Sequence, residues 1–276
     1  MALFVVASAA LAVTALLAAF ALRLSWPGTL LAAYLVAQAA VVLLAELLSV
    51  VHGIGRTGYL LGEGVLLVAA IGLWHRRGRP RPPRPDIPWA SLRRHPVVVL
   101  LALVVGAALV FQAVLVASVP PNNWDSMLYH LSRAAAWYQS GAVEYHPAAT
   151  DRENIFPPNA EIQILYTLVF LGRDTLAALP QLAAEIALLV GIFGVSRRLG
   201  FARSASAFAA LLFATLSEVA LQATTTQNDL VVAAAVVAAA YFILGRSRVD
   251  LALAGLAVGL ALGTKLTAVF ALPVLA

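Results

Sequence analysis

Cysteine is absent from the 276 residues, which excludes a disulfide framework and any thiolate metal site. Charge is nearly as scarce. Only 11% of residues are Asp, Glu, Lys or Arg and 62% are hydrophobic, where an ordinary soluble domain carries about 25% charged and about 45–50% apolar residues. That balance implies a chain whose surface faces lipid. No internal repeat is evident and no charged segment precedes the opening apolar run, MALFVVASAALAVTALLAAFAL, so a cleaved signal peptide is not expected.

The charge that is present is concentrated. Most of the net +5 comes from residues 75–95, HRRGRPRPPRPDIPWASLRRH, which hold seven arginines and five prolines. Basic clusters beside membrane spans follow the positive-inside rule, so they do not imply a nucleic-acid partner. Binding of anionic lipid or of another protein is the alternative use of such a segment.

Apolar runs long enough to span fall near residues 1–22, 29–51, 59–74, 96–118, 175–195, 204–223, 230–245 and 250–272. The fold class is therefore all-α, a polytopic helical membrane protein with about eight transmembrane helices. The arginines of 75–95, of SRRLGFAR at 196–203 and of GRSR at 245–248 place these three loops on the cytoplasmic side. Between 95 and 196 a third candidate, AEIQILYTLVFLG, carries Glu161 and Gln163 and is too short to cross. It is expected as an interfacial or re-entrant helix, which leaves a long outer loop over 119–174. The organisation read from this is a three-span bundle over 1–74, a cytoplasmic Arg/Pro-rich linker over 75–95 and a membrane core over 96–276. The chain stops inside an apolar run, AVFALPVLA, which reads as a truncation.

The outer loop holds the chemistry. On a helical wheel Met127, Leu128, Leu131, Ala134, Ala135 and Tyr138 fill one arc of residues 125–140, and Asp125, Tyr129, His130, Arg133, Trp137 and Ser140 fill the other. An amphipathic helix about 24 Å long is expected on the membrane surface, its polar arc wet. Pro120 and Pro121 end the preceding span, and Asn122 or Asn123 can cap the new helix. Asp125, Tyr129 and Arg133 share one stripe by their i, i+4, i+8 spacing. A capped surface helix explains that stripe as well as a site does. Further on come His146, Asp151, Arg152, Glu153 and the Pro157, Pro158 turn, then Asn228 and Asp229 at the mouth of a span. Glu46, Glu63, Glu185, Glu218 and Lys265 lie in or beside apolar runs, where charge is costly and marks function by default. No metal-ligand spacing is visible, although converging acids leave a divalent cation open.

The pattern NNWDSMLYHLSRAAAWYQSGAVEYHP, DRENIFPPNAE, TQNDL and GLALGTKLTAV resembles the membrane glycosyltransferases of the GT-C fold. More narrowly, it is similar to glycosyltransferase family 39, the protein mannosyltransferase-like enzymes and their aminoarabinose transferase relatives. The resemblance covers about residues 96–276. It implies a polyprenyl-phosphate sugar donor, an acceptor on the extracytoplasmic side and no required cofactor. It makes Asp125 the catalytic acid/base group and Asp229 the second acidic position. Glu153 corresponds to the acid before the proline pair, with NIF standing where a basic residue usually adjoins the prolines. Arg133, Arg152 and Lys265 are then available for phosphate, and Tyr129, His130, Trp137 and Asn228 for the sugar. A multi-pass position in the cell membrane follows. The rival readings are a transporter or scaffold whose outer helix is structural, and an inactive truncated transferase.

Overall fold

The computed structural model describes residues 1–85 and 94–275, so residues 86–93 of the Arg/Pro linker lie outside the described residues. All regular structure among the described residues is helical. The chain runs α1 (Ala2–Ala21), α2 (Trp26–Ser49), α3 (Arg56–Arg76), α4 (Pro96–Ser118), a π-helical turn (Ser126–His130), α5 (Leu131–Ser140), α6 (Arg152–Ile155), α7 (Asn159–Leu171), α8 (Leu179–Arg198), α9 (Arg203–Ala214), α10 (Ser217–Gln222), α11 (Asp229–Ile243), α12 (Arg248–Thr264), a 3₁₀ turn (Leu266–Ala271) and α13 (Leu272–Leu275).

Local chemistry sets the helix ends. Proline occupies the first turn of α2, α4 and α8, where its missing N–H costs nothing. Ser247 and Asp250 form a reciprocal capping box at the start of α12. Gly141 closes α5 at φ +73°, and a Cβ there would also meet the His52 carbonyl at 3.1 Å. Glycine is required on both counts.

Five helices, α1, α2, α3, α4 and α8, are long and apolar enough to cross a membrane. The expected 204–223 span is broken. α9 ends at Ala214, Leu216 is extended, and α10 resumes at Ser217. The two pieces still lead from Arg203 to Gln222, which pairs with Gln181 at the far end of α8. The expected 250–272 span also ends early, at Thr264, because Lys265 is extended.

Polar contacts sort to the two ends of the bundle. At one end the Arg23 guanidinium donates to the Arg77 carbonyl at 2.7 Å. Arg198 donates to the Tyr241 carbonyl and to Asp250, lies 3.8 Å over the Tyr241 ring, and Tyr241 Oη pairs with Ser25 Oγ. At the other end Ile54 N–H donates to the Gly141 carbonyl and Val143 N–H to Ser49 Oγ. α2 packs against α7, α8 and α12, so the first three helices share their core with the rest of the chain.

α7 is the inner strut. Its 13 residues reach about 20 Å, less than the ~30 Å of a hydrocarbon core. Every residue from Ala160 to Phe170 is buried. A helix too short to span is tolerated at membrane depth when protein surrounds it, and α7 packs against α1, α2, α5, α8 and α12.

Tight contact between α8 and α11 yields a test. A Cβ on Gly194 would sit 2.8 Å from the Tyr241 ring, which Arg198 and Ser25 hold in place. Gly194→Ala is expected to destabilise the protein by about 1–3 kcal/mol through overpacking, read as a lower thermal unfolding midpoint in detergent. An unchanged midpoint would contradict this packing.

Candidate active site

Ser118 ends α4, Val119 is extended, and helix resumes at Trp124 after the proline pair. Neither Asn122 nor Asn123 makes a side-chain cap; the Asn123 carbonyl accepts from Met127 N–H at 3.1 Å. The next turn is π-helical, closed by Leu131 N–H on the Ser126 carbonyl. One extra residue is thereby inserted, a feature that recurs at functional sites.

The two arcs of the wheel are present, but most of the polar arc faces protein where water was expected. Ser126, Tyr129, His130, Arg133 and Trp137 are buried against the protein, whereas Met127 and Tyr138 are exposed. The middle of the polar arc is dry, and Asp125 and Ser140 at its two ends stay accessible. A membrane-embedded protein satisfies apolar side chains with lipid, so polar ones turn inward to find partners.

The buried partners form an inner layer. Glu161 on α7 is fully buried. Its Oε1 lies 2.5 Å from His130 Nδ1, and its Oε2 lies 3.7 Å from Arg133 Nη1. The Arg133 guanidinium stacks 4.6 Å over Trp137, whose Nε1 donates to the Glu144 carbonyl at 2.9 Å. Burial holds Arg133 below its ordinary pKa, against the opposing charges of Glu161 and Glu153. Glu153 is 3% exposed and pairs with His146 Nε2 at 3.1 Å. Among the described residues, His130 Nε2, Arg133 Nε and Nη1, and Glu161 Oε2 have no hydrogen-bond partner.

Above it lies an accessible layer. The Asp125 side chain is 37% exposed, with Oδ1 at 3.7 Å from Arg152 Nη1 and Oδ2 accepting from Gln227 Nε2 at 3.4 Å. Arg152 also sits 5.8 Å over the Tyr129 ring, and that ring lies 4.0 Å from His130. Burial, with the negative charges of Asp125 and Glu161, pushes the Tyr129 phenol up to about 12; Arg152 opposes this and Asp229 adds to it. The hydroxyl therefore stays protonated, a donor, at any ordinary pH.

The 223–229 loop joins this layer through three bonds. Thr226 N–H donates to Ser126 Oγ at 3.1 Å, Gln227 reaches Asp125, and Asn228 Nδ2 donates to the Thr264 carbonyl at 3.2 Å. Asp229 opens α11 and its Oδ1 holds Lys265 Nζ at 2.6 Å, with the two side chains 45% and 36% exposed. Gln181 Oε1 accepts from Leu230 N–H and Val231 N–H, capping α11 from a neighbouring helix.

Of the sequence-derived residues, Asp125, Arg152 and the buried Tyr129 form one group and Asp229 with Lys265 another, and the 227–229 segment, with buried Asn228, runs between them. His130, Arg133, Trp137 and Glu153 lie in the inner one. Sequence reading missed Glu161 as the organiser, although it was the charge that cut the apolar run short. Ser126 lies inside NNWDSMLYH, and Thr226 and Gln227 inside TQNDL, without a role assigned to them, and Gln181 lies in no motif. Glu63 accepts from the Tyr166 hydroxyl at 2.7 Å and Glu185 is buried on α8, while Glu218 is exposed on α10. Among the described residues no group of three or more His, Asp or Glu side chains is arranged to hold a metal.

A groove of about 390 Å³ adjoins the accessible layer. It lies between the end of α4, residues 119–123, α10 and the 224–227 segment, and Gln227 stands in its wall.

Fold and site together define a polytopic helical membrane protein with exposed carboxylates and cations at one end of its bundle, beside an open groove. Residues 154–276 match glycosyltransferase family 87, a GT-C-type family. The match supports a membrane glycosyltransferase. It takes in Glu161, Asp229 and Lys265 and begins beyond Asp125. No curated protein and no solved structure matches the chain.

The two layers respond differently to substitution. Glu161→Ala leaves His130 and Arg133 buried without their counter-charge and is expected to cost about 3–5 kcal/mol. Asp125→Asn, at a half-exposed carboxylate, is expected to stay within about 0.5 kcal/mol. Thermal unfolding of the two purified variants checks this, and equal losses would refute the layering.

Proposed function

We propose that the protein transfers a sugar from a polyprenyl-phosphate donor to an acceptor on the extracytoplasmic side, with Asp125 as general base and inversion at the anomeric carbon. The observation that carries the reading is the setting of Asp125. It is the accessible carboxylate of the outer helix, with a guanidinium near one oxygen and an amide donor on the other.

In this reaction the acceptor oxygen attacks the anomeric carbon while its proton passes to the Asp125 carboxylate, a role worth typically 10²–10⁴ in rate. The bond from that carbon to the phosphate oxygen breaks, and its electron pair leaves with the lipid phosphate. Arg152 and Lys265 meet the charge that grows there. Asp229 orients Lys265 through their 2.6 Å contact. Glu153 is buried and paired with His146, so in this reading it fixes α6, which carries Arg152, rather than touching substrate. Tyr129, protonated and beside Arg152, donates to a sugar or phosphate oxygen. His130, Arg133 and Trp137 lie below as the support of that surface. The arginine-rich end of the bundle faces the cytoplasm of the cell membrane by the positive-inside rule, which turns the site outward.

The exposed position of Asp125 and Asp229 favours this over a transporter, whose coupling acids sit at mid-membrane on facing broken helices.

Asp125→Asn is expected to lower transfer from a polyprenyl-phosphate sugar by about 10²-fold or more with membrane insertion unchanged; undiminished turnover would remove Asp125 from its role. For sidedness, a cysteine replacing exposed Ser140 should react with an impermeant thiol reagent added outside intact cells. Protection there, with labelling only after lysis, would invert the topology.

A further inference from the structure

Gln181 serves two elements at once. It stands in the first turn of α8 and is 1% exposed. Its Oε1 accepts from Leu230 N–H and from Val231 N–H, both at 3.1 Å, and its Nε2 donates to Gln222 Oε1 at 3.2 Å. Leu230 and Val231 belong to the first turn of α11, and Gln222 closes α10. One amide therefore holds both ends of the 223–229 loop, whose middle brings Thr226 to Ser126 and Gln227 to Asp125. The first N–H groups of a helix have no partner within it, so Leu230 and Val231 depend on that oxygen.

The direction of the amides is fixed from both ends. Two N–H donors demand an oxygen on the α11 side, which turns Gln181 Nε2 toward Gln222 and requires Gln222 to offer its Oε1. Gln222 Nε2 then points outward, where Glu218 Oε1 accepts it at 3.2 Å. Glu218 is exposed, and a carboxylate only accepts, so the outer end demands the same polarity. Turning either amide over would set donor against donor and oxygen against oxygen.

We infer that Gln181 is a positioning residue of the site: a single buried amide clamps the two ends of the 223–229 loop and thereby sets Gln227 against Asp125 and Asp229 against Lys265. The inference rests on the proposed role of Asp125. Gln181 touches none of the reacting groups and acts through the loop. A hydrocarbon side chain in its place would strand two N–H groups and release Gln222. A carboxylate there would keep the α11 end, since acids suit a helix N-terminus, but Gln222 would have to turn over and present its oxygen to Glu218. The swapped pair, Gln181→Glu with Glu218→Gln, reverses the chain with every donor and acceptor matched and the net charge unchanged.

The test uses the full chain in phosphatidylcholine nanodiscs and reads amide hydrogen exchange residue by residue. Gln181→Met should speed exchange at Leu230 and Val231 about five-fold or more, the factor that one lost neutral hydrogen bond predicts. Val232 N–H donates to the Asn228 carbonyl; its exchange should not change, which reports that α11 is still folded. Lys265 is the sole lysine of the chain, and its acylation by an amine reagent should quicken as Asp229 loosens. The swapped pair should restore both readouts. With a polyprenyl-phosphate sugar, Gln181→Met should lower kcat about 10- to 10²-fold, as misplaced reacting groups do, and alter KM less; the swapped pair should recover most of the loss. Gln222→Leu, at a half-buried position, cuts the α10 end alone and should lower kcat while Leu230 and Val231 stay protected. Exchange that ignores Gln181→Met overturns the inference. So does protection that the swapped pair fails to restore while Val232 stays protected, or a kcat unmoved by both Gln181→Met and Gln222→Leu. Absence of turnover in the unsubstituted protein, with exchange and Lys265 acylation responding as stated, overturns the transferase reading and leaves the clamp standing.

Discussion

The buried carboxylate of Glu161 determines which way the outer helix faces. A charge with no exposure must be paired where it lies, and the groups that reach it are His130 at 2.5 Å and Arg133 at 3.7 Å. Both belong to the polar arc of the outer helix, so that arc must roll onto α7. Met127 and Tyr138 are left pointing away. Asp125 begins the same face and is carried to the inner edge of the helix, where Ser126 and Asp125 meet Thr226 and Gln227. A helix lying with its polar arc in water would present the same residues to solvent one at a time and bring none of them to the 223–229 loop.

This arrangement has a cost. Among the described residues His130 Nε2 and Arg133 Nε lack partners, and the π-helical turn interrupts the regular ladder. Unsatisfied buried groups typically cost about 1–3 kcal/mol each. The compensation is a division of labour in depth. The lower layer is charged, dry and rigid; the upper layer is charged and wet. A reacting carboxylate needs access, and a positioned one needs neighbours that do not move. Asp125 has both because Tyr129 and His130, adjacent on the helix and 4.0 Å apart as rings, join the layers.

The sequence made the fold class legible because it rests on two strong signals, long apolar runs and clustered arginine. The arginine parity argument also led to residues 160–171 being expected as an interfacial or re-entrant helix, and α7 is 13 residues long and buried from Ala160 to Phe170. Broken spans were hidden. Nothing in the run from 204 to 223 announces that Leu216 is extended, since hydropathy reads composition and the break is a matter of backbone. The wheel separated the arcs correctly but could not say which was wet, because amphipathicity fixes a difference between two faces and the surroundings decide its sign. Asp229 and Lys265 were each visible, whereas their pairing depended on the helix end at Thr264. Gln181 was invisible and Gln227 was passed over within TQNDL, because an amide in a loop or at a helix start has no evident role until its partner is known.

The family match begins at residue 154, yet the bonds that build the site cross that boundary repeatedly. Glu161 holds His130, Thr226 holds Ser126, and Gln227 holds Asp125. Arg152, just before the boundary, faces Asp125 and Tyr129. A segment that merely preceded the matched region would owe it no buried ion pair. Residues 123–137 instead supply the counter-charges of Glu161, and α7 with that carboxylate unpaired would hold an uncompensated charge in the protein interior, which is strongly destabilising. The matched part therefore requires the outer helix for its own stability, and the requirement that stabilises α7 is the one that delivers Asp125 to Gln227. Structure and proposed chemistry are linked through that single carboxylate at depth.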